Sequence, residues 1–575
     1  MNTPALDFSF LRNQTVGIDS IIDTPFGKRL MSYCDFTASG RCLSFVEEYI
    51  MHIQRHYANT HTEDDITGRN MTHLLHQAEE IIKRSVNAGP HGKIVCIGSG
   101  STAAIYKFQQ IVGVALPPAT RAFLWNLHSE FYKNDSVPDF LSFLNERKPV
   151  VFVGPYEHHS NELTWRESLA CVERVRLTTD GRVDTAHLAD LLQDPKYADR
   201  MKIGSFSAAS NVTGIKSPVH EIAAVLHKHN ALACFDFAAS GPYVNIDMNP
   251  ESDSNGSVDA VFLSPHKFLG GPGSCGVLVF NDRLYHTELP PSVSGGGTVS
   301  YVTSFMQEYY NDIEEREKAG TPGVLQTLKA AMVFDIKDTL TTETIEQREQ
   351  ELLEAVFKEW SKTSNIEILG NPDPSTRIAV VSFNIRDPWG SYLHPKFITA
   401  LLNDLFGIQS RAGCSCAGPY GHELLGIDTN KSVRYRSCVA NGYEGMKPGW
   451  CRVGFHYSMD FEEMMYVVQA VTFIAEKGYL FLPAYTFDIK TGAWHHHQEK
   501  PICNSFSIEE ALNITAGRQA PAAIPAEVRH CLYNSYLAEA GKLAEQYGES
   551  LPGRMPVLEG ELEELRYFSF VHAVR

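Results

Sequence analysis

No stretch of this chain is apolar for long enough to cross a bilayer. The most apolar helix-like segment, Met464 to Ala475, is interrupted by Gln469 and falls short of the span that a hydrocarbon core of roughly 30 Å demands. Met1 to Ser20 carries Asp7, Arg12 and Asp19, so it lacks the continuous apolar core of a secretory signal, and a cytoplasmic protein with no membrane partner is expected. Positive charge is scarce too. The formal net charge is −18, and no Lys/Arg run offsets it locally. A field of that sign opposes polyanions, which argues against nucleic acid as a partner and leaves solubility as the simple reading of the acidity. Cysteine is sparse, 12 in 575 residues, and several lie inside apolar runs, as Cys96 and Cys234 do, where a thiol packs as a small hydrophobe. Reduced thiols suit that pattern better than a disulfide framework. Internal repeats and low-complexity tracts are also missing.

What is present is globular. Hydrophobic residues make up 43% and charged residues 21%, outside the regime of disordered chains. A chain of this length exceeds one core, so two or three domains are expected. From Lys93 to Asp282 a short β-branched run, a turn of Gly, Ser, Asn or Pro, and a helix-like stretch recur. The runs are Lys93–Ile97, Val150–Val153, Ile203–Phe206, Ala231–Phe235, Ala260–Leu263 and Gly276–Phe280. Between two of them, Pro218 to Asn230 sets Ile222, Val225 and Leu226 on one helical face, with Ser217 as a cap. This is α/β grammar: a mostly parallel mixed sheet flanked by helices, with ligands beyond the carboxyl ends of its strands. The spacing predicts an N-terminal segment over 1–30, a large domain over 31–325, a smaller α/β domain over 326–477 and a C-terminal extension over 478–575. The passage between the two domains follows Thr321-Pro322-Gly323, with helical patterns over Leu325–Ile336 and Glu343–Thr363. The smaller domain alternates strands such as Ile378–Phe383 and Cys451–Phe455 with helices such as Pro395–Leu405, and the extension turns helical around Glu527–Tyr547 without any catalytic motif.

The residues after the strands carry the chemistry. Asp236 ends one run, and Ser264-Pro265-His266-Lys267 ends another ahead of the turn Gly270-Gly271-Pro272-Gly273. A lysine amine holds an aldehyde as an imine, and a carboxylate opposite a pyridine nitrogen keeps that nitrogen protonated, so the pair suits a pyridoxal cofactor. Taken singly, Lys267 reads as a surface lysine and Asp236 as a cap or turn residue; their placement after successive strands is what joins them. Upstream, Ile97-Gly98-Ser99-Gly100-Ser101-Thr102 leads a strand into a helix, where backbone N–H groups and hydroxyls can close around a phosphate. Such a turn is weak on its own and gains from its company.

In this order the motifs resemble the aminotransferase class V family, in particular its cysteine desulfurase and selenocysteine lyase branch. Asp35-Phe36-Thr37-Ala38-Ser39 resembles the family's D-x-A-A-S, Tyr57-Ala58-Asn59-Thr60-His61 its Y-A-N-x-H, and Glu157-His158-His159-Ser160-Asn161 its E-H-H-x-N. Ser210-Asn211-Val212-Thr213-Gly214 resembles S-N-x-x-G, and Ala319-Gly320-Thr321-Pro322 resembles A-G-T-P. The resemblance covers about Asp35 to Tyr457. It implies the pyridoxal-phosphate fold of type I, with pyridoxal 5′-phosphate on Lys267, Asp236 at its ring nitrogen, His158 stacked on the ring and Asn211 on the phenolic oxygen side. Ser101, Thr102, Ser264 and His266 are implied at the phosphate, together with Thr321 from a neighbouring subunit, and hence a homodimer. Ser39 and His61 are implied on the substrate side. One departure stands out: the family's Gln three residues after the aspartate is Ala239 here, followed by Ser240.

Two further candidates lie downstream. Arg452, in Cys451-Arg452-Val453-Gly454, resembles the family's R-x-S arginine, whose planar fork binds a substrate α-carboxylate; the plain alternative is a solvent-facing strand arginine. Arg411-Ala412-Gly413-Cys414-Ser415-Cys416-Ala417-Gly418-Pro419 resembles the desulfurase loop R-T-G-x-x-C-A-x-P and places Cys416 on the sulfur-accepting cysteine. A Cys-x-Cys pair is also read as a small-residue turn, part of a metal site or a redox-sensitive pair, and Cys414 stays open between accessory thiol and packing. His495, His496 and His497 are consecutive and cannot all face one ion, so no metal is assigned.

The resemblance thus implies a pyridoxal-phosphate enzyme acting on L-cysteine or a related sulfur amino acid, giving alanine and a persulfide on Cys416, with a sulfur-acceptor protein as a further partner. The fold also serves C–S β-lyases, kynureninase-like hydrolases, epimerases and transaminases, and a non-catalytic sulfur-transfer scaffold is the third alternative.

Overall fold

Val, Ile and Phe dominate the runs between Lys93 and Asp282, and residues of that shape fill both faces of a sheet that is covered on each side. In the computed structural model, which describes residues 6–60, 62, 64–131, 143–251, 254–498 and 523–574, those runs form one seven-stranded sheet. The chain divides into two compact units. One comprises Thr37–Glu346 with Thr376–Ile378; the other comprises Met1–Phe36, Gln347–Ser375 and Ala379–Arg575.

The first unit holds the large sheet. Its strands are β1 (Gly92–Ile97), β2 (Val150–Val153), β3 (Cys171–Arg174), β4 (Lys202–Ser207), β5 (Ala231–Asp236), β6 (Ala260–Leu263) and β7 (Gly276–Asn281), in the spatial order β1-β7-β6-β5-β4-β2-β3. Every neighbouring pair from β6 to β3 is parallel, and β7 alone runs against both its neighbours. The mixed, mostly parallel sheet is therefore as expected from the sequence. The edge strand β3 is only half-buried along its length, and its Cys-Val-Glu-Arg pattern has no apolar run to betray it.

Helices complete the core of this unit. Helix α1 (Ser101–Ile111) buries Ala104, Ile105, Phe108 and Ile111 against the sheet, where they join Val95, Val151, Ile203, Phe262 and Leu278. Helix α2 (Val219–Lys228) buries Ile222, Ala223 and Leu226, and it lies so close to β4 that a Cβ on Gly204 would meet Leu226 Cδ1 at 2.3 Å. Ser217 does not cap this helix. Its hydroxyl donates to the Ser207 carbonyl at 2.6 Å, a strand-end acceptor that outcompetes the helix terminus. The helical pattern expected over 325–336 is helix α3 (Val324–Leu340), and it is separated from the next helix, Thr342–Trp360, by Thr341 at φ 64°.

The second unit contains a four-stranded antiparallel sheet: β8 (Ile366–Ile368), β9 (Val380–Ile385), β10 (Arg411–Gly413) and β11 (Trp450–Gly454), in the order β8-β9-β11-β10. Helices α4 (Pro395–Phe406), α5 (Gly418–Leu424), α6 (Phe461–Lys477) and α7 (Ala526–Gly548) belong to the same unit. Among the described residues no helix is long and apolar enough to cross a membrane.

Candidate active site

Five strands of the large sheet release their chain at the same end, and each delivers one part of the site. After β1 the backbone turns through Gly98 at φ 56°, a conformation open to glycine, and enters α1, which begins at Ser101 without a side-chain cap. The Ser101 N–H donates instead to Ser264 Oγ at 2.8 Å, which ties the end of β6 to the helix terminus. A Cβ on Gly100 would meet Ser264 Oγ at 3.1 Å and His266 Nε2 at 3.4 Å, so the two side chains converge on the glycine backbone. Thr102 is exposed beside them, its hydroxyl sharing a hydrogen bond with Ser160 Oγ at 2.7 Å. Burial and the nearby charge of Lys267 hold His266 down at about 4, so at neutral pH it offers a neutral N–H. An uncapped helix end, two hydroxyls and a neutral imidazole form a seat that fits a phosphate.

Lys267 closes the single turn Pro265–Lys267 that follows β6, its N–H bonded to the Ser264 carbonyl at 2.9 Å. The segment Thr37–Gly40 is pressed against this turn. The His266 carbonyl accepts from the Gly40 N–H at 2.9 Å and from Ser39 Oγ at 3.3 Å, and a Cβ on Gly40 would lie 2.0 Å from the Phe268 carbonyl oxygen. Asp236 ends β5, 4% exposed, and accepts the Ala238 N–H at 2.9 Å. Burial raises its pKa, while the Ala238 N–H, the charge of Lys267 and the Ser101 hydroxyl pull the other way. Ser101 thus binds Ser264 through its N–H, while its hydroxyl helps to favour the Asp236 carboxylate.

His158 follows β2. The Ser160 N–H donates to His158 Nδ1 at 3.1 Å, so a neutral ring carries its proton on Nε2 and is fixed in orientation. Asn211 lies buried beyond β4 in a turn closed by the Val212 and Thr213 N–H groups, both donating to Ser210 Oγ at 3.1 Å. Thr321 is exposed and accepts from Asn59 Nδ2 at 3.4 Å, which brings the A-G-T-P and Y-A-N-x-H segments together. Ala239 is buried, and the buried hydroxyl of Ser240 next to it has no hydrogen-bond partner among the described residues. His61 lies outside the described residues.

Two residues with structural leverage carry no role in the sequence reading. Glu157, buried, gathers four donors: the Gly154 N–H (3.1 Å), the Ser207 N–H (2.8 Å) and hydroxyl (2.6 Å), and Asn161 Nδ2 (2.7 Å). Burial nevertheless pushes its pKa up to about 7, and the charge of Asp236 adds to the rise. Ser160 bonds both Thr102 and His158 and so couples two of the expected cofactor residues. The only sequence signal for either was membership of the same E-H-H-x-N motif.

In the second unit, Arg411 on β10 and Arg452 on β11 are direct cross-strand partners, a like-charge pair that repels unless compensated. Asp35 compensates it, accepting from Arg411 Nε at 2.9 Å and from Arg452 Nη2 at 3.0 Å. Two guanidinium groups against one carboxylate leave a single net positive charge. Arg452 is buried with its side chain 5% exposed, so it is not the solvent-facing strand arginine of the plain alternative. Past Gly413 the chain turns through Ser415 (φ 49°) and Cys416 (φ 55°), both left-handed without being glycine, at a cost on the order of 1 kcal/mol each. Cys416 is exposed at this turn and Cys414 half-buried. In the strand Trp494–His496, His495 is exposed and His496 buried, pointing to opposite faces.

A lysine just past one strand, a buried aspartate at the end of another and a helix start beside Ser264 and His266 mark a candidate cofactor site on an α/β sheet. The chain belongs to the aminotransferase class-V family, whose model matches residues 139–467, and it is a pyridoxal-phosphate-dependent enzyme. It is similar to a probable cysteine desulfurase of Staphylococcus aureus, 26% identical over 421 residues that cover 72% of this chain and 89% of the relative. A probable cysteine desulfurase of Halobacterium salinarum is 30% identical over 300 residues, 51% of this chain and 67% of the relative. Among solved structures, an apo cysteine desulfurase of Thermococcus onnurineus shares the fold with a TM-score of 0.60 at 19% identity, covering 78% of this chain and 95% of that one. The cysteine desulfurase CsdA of Escherichia coli follows with a TM-score of 0.59 at 17% identity, covering 82% and 98%.

Proposed function

We propose that this enzyme removes the sulfur of L-cysteine, producing alanine and a persulfide on Cys416. The observation that carries the proposal is the exposed Cys416 thiol, displayed on a strained turn directly after the strand of Arg411. The names of the relatives support the same substrate class.

Pyridoxal phosphate, when bound, supplies an electron sink for the substrate's α-carbon. The chain supplies the rest. Lys267 would anchor the aldehyde and move the α-proton, Asp236 would keep the ring nitrogen protonated, and His158 and Asn211 would help to hold the ring. Gly100 to Thr102, Ser264 and His266 hold the phosphate. Arg452 takes the α-carboxylate, its charge shared with Arg411 and balanced in part by Asp35. Ser39 and His61 complete the substrate side. Cys416, as thiolate, attacks the substrate sulfur. The enzyme works in the cytoplasm as a homodimer, with the exposed Thr321 serving the neighbouring subunit's phosphate, and it passes sulfur to an acceptor protein.

The test is product analysis. Holoenzyme given L-cysteine and a reductant is expected to form alanine and sulfide in equal amounts, and Cys416→Ala to lower both at least about a hundredfold. Pyruvate and ammonia instead of alanine identify β-elimination, the reading that the buried Ala239 favours because the family's glutamine amide is missing there. Undiminished alanine formation by Cys416→Ala rejects this thiol as the acceptor.

A further inference from the structure

The turn that displays Cys416 holds a second thiol. Cys414 and Cys416 are both free cysteines. The Ala417 N–H donates to the Cys414 carbonyl at 3.0 Å, which closes a four-residue turn with Ser415 and Cys416 at its centre, both at positive φ. Two successive left-handed residues make a type I′ turn, a geometry that Asn and Gly adopt far more readily than Ser and Cys. Backbone curled to a helical degree, of either hand, brings residues two apart to a Cα separation of about 5.4 Å. That lies within the window a disulfide spans. The turn is anchored on both sides, by the pairing of β10 with β11 before it and by buried Ala417 and helix α5 after it. Among the described residues no group of three or more His, Cys, Asp or Glu side chains is placed to hold a metal, so the pair has no ligand set to join.

We propose that Cys414 is the resolving thiol of Cys416, an assignment that rests on the reading of Cys416 as sulfur acceptor. Once Cys416 carries the extra sulfur, the Cys414 thiolate attacks Cys416 Sγ. The bond from Sγ to the outer sulfur breaks as the Cys414–Cys416 bond forms. The outer sulfur leaves with the electron pair as hydrosulfide and takes up the proton lost by the Cys414 thiol. The extra sulfur is reduced to sulfide and the two cysteines are oxidised to a disulfide, so electrons balance within the step. A dithiol reductant, itself oxidised to a disulfide, restores both thiols by exchange. When no acceptor has taken the outer sulfur first, the enzyme therefore releases it as sulfide in a dithiol-dependent cycle.

Holoenzyme is given one equivalent of L-cysteine without other reductant, then alkylated, digested with trypsin and weighed, with alanine and sulfide measured in parallel. The tryptic peptide 412–431 contains both thiols. Wild type is expected to release one sulfide per alanine and to yield that peptide lighter by two hydrogens. Cys414→Ser is expected to keep an extra sulfur on Cys416 and to release sulfide at least about tenfold more slowly. A wild-type peptide that retains the extra sulfur, or a Cys414→Ser variant that releases sulfide as fast as wild type, overturns the assignment. Absence of alanine in wild type is a different failure, that of the desulfurase reading itself. Inorganic polysulfide then loads Cys416 directly, and the same two peptide masses decide the role of Cys414.

Discussion

At Glu157 burial and hydrogen bonding act in opposite directions. Four donors favour the carboxylate, yet full burial and the neighbouring Asp236 raise its pKa from 4.5 to about 7. A folded-state pKa above the unfolded value means that stability from this group is fully present below pH 4.5 and is lost as pH rises through about 7. The loss reaches up to about 3 kcal/mol. Glu157→Gln, uncharged at every pH, is expected to gain stability relative to wild type as pH rises across that window, as denaturant melts at several pH values will report. A constant difference between the two proteins contradicts the buried, protonated acid. At this scale the sequence showed which residue types were gathered but not their pairings. Asp35 stood in a quoted motif, and only the cross-strand register of Arg411 with Arg452 explains why a carboxylate belongs beside them.

At the scale of elements, the phosphate seat depends on the turn from β1 into α1. Gly100 has an extended backbone that any residue can adopt, so its value is space alone. Gly100→Ala places a methyl 3.1 Å from Ser264 Oγ, close enough to shift that hydroxyl, and in contact with His266 Nε2 at 3.4 Å, while leaving the strand and helix intact. The variant is expected to fold and to bind pyridoxal phosphate at least about tenfold more weakly, the equivalent of an overpacking penalty of about 1 to 2 kcal/mol. Equilibrium titration with the cofactor checks this, and unchanged affinity moves the phosphate elsewhere. Elements of this kind were legible because a parallel sheet puts its functional residues where apolar runs stop, and Gly98–Thr102, His158, Asn211, Asp236 and Ser264–Lys267 all follow such runs. Strand β3 was not legible, since a half-buried edge needs no apolar run. The role of Ser217 was misread for a related reason: a hydroxyl beside a helix start also lay within reach of a strand carbonyl.

At the scale of the whole molecule, the described residues of the segment expected as a C-terminal extension pack within the second unit. Tyr533 of α7 stacks on Tyr466 of α6 with ring centroids 3.9 Å apart and planes 10° from parallel. Arg529 pairs with Asp460, Glu539 with Arg29 at 2.9 Å, and the strand His572–Val574 lies parallel to Tyr485–Asp488. Tyr533→Ala removes a ring that is 4% exposed, and is expected to cost about 3 kcal/mol of unfolding free energy. A loss under about 1 kcal/mol in denaturant unfolding contradicts an integral extension. Helical periodicity announced α7 without naming the surface it covers, because its partners lie tens to hundreds of residues away.

The cofactor assignment joins all three scales, and one measurement reaches it directly. Holoenzyme reduced with borohydride, digested and mapped by mass is expected to carry the reduced pyridoxal phosphate on the amine of Lys267, and Lys267→Ala is expected to carry none. An adduct on another lysine, or a wild-type protein that takes up no cofactor, contradicts the central assignment.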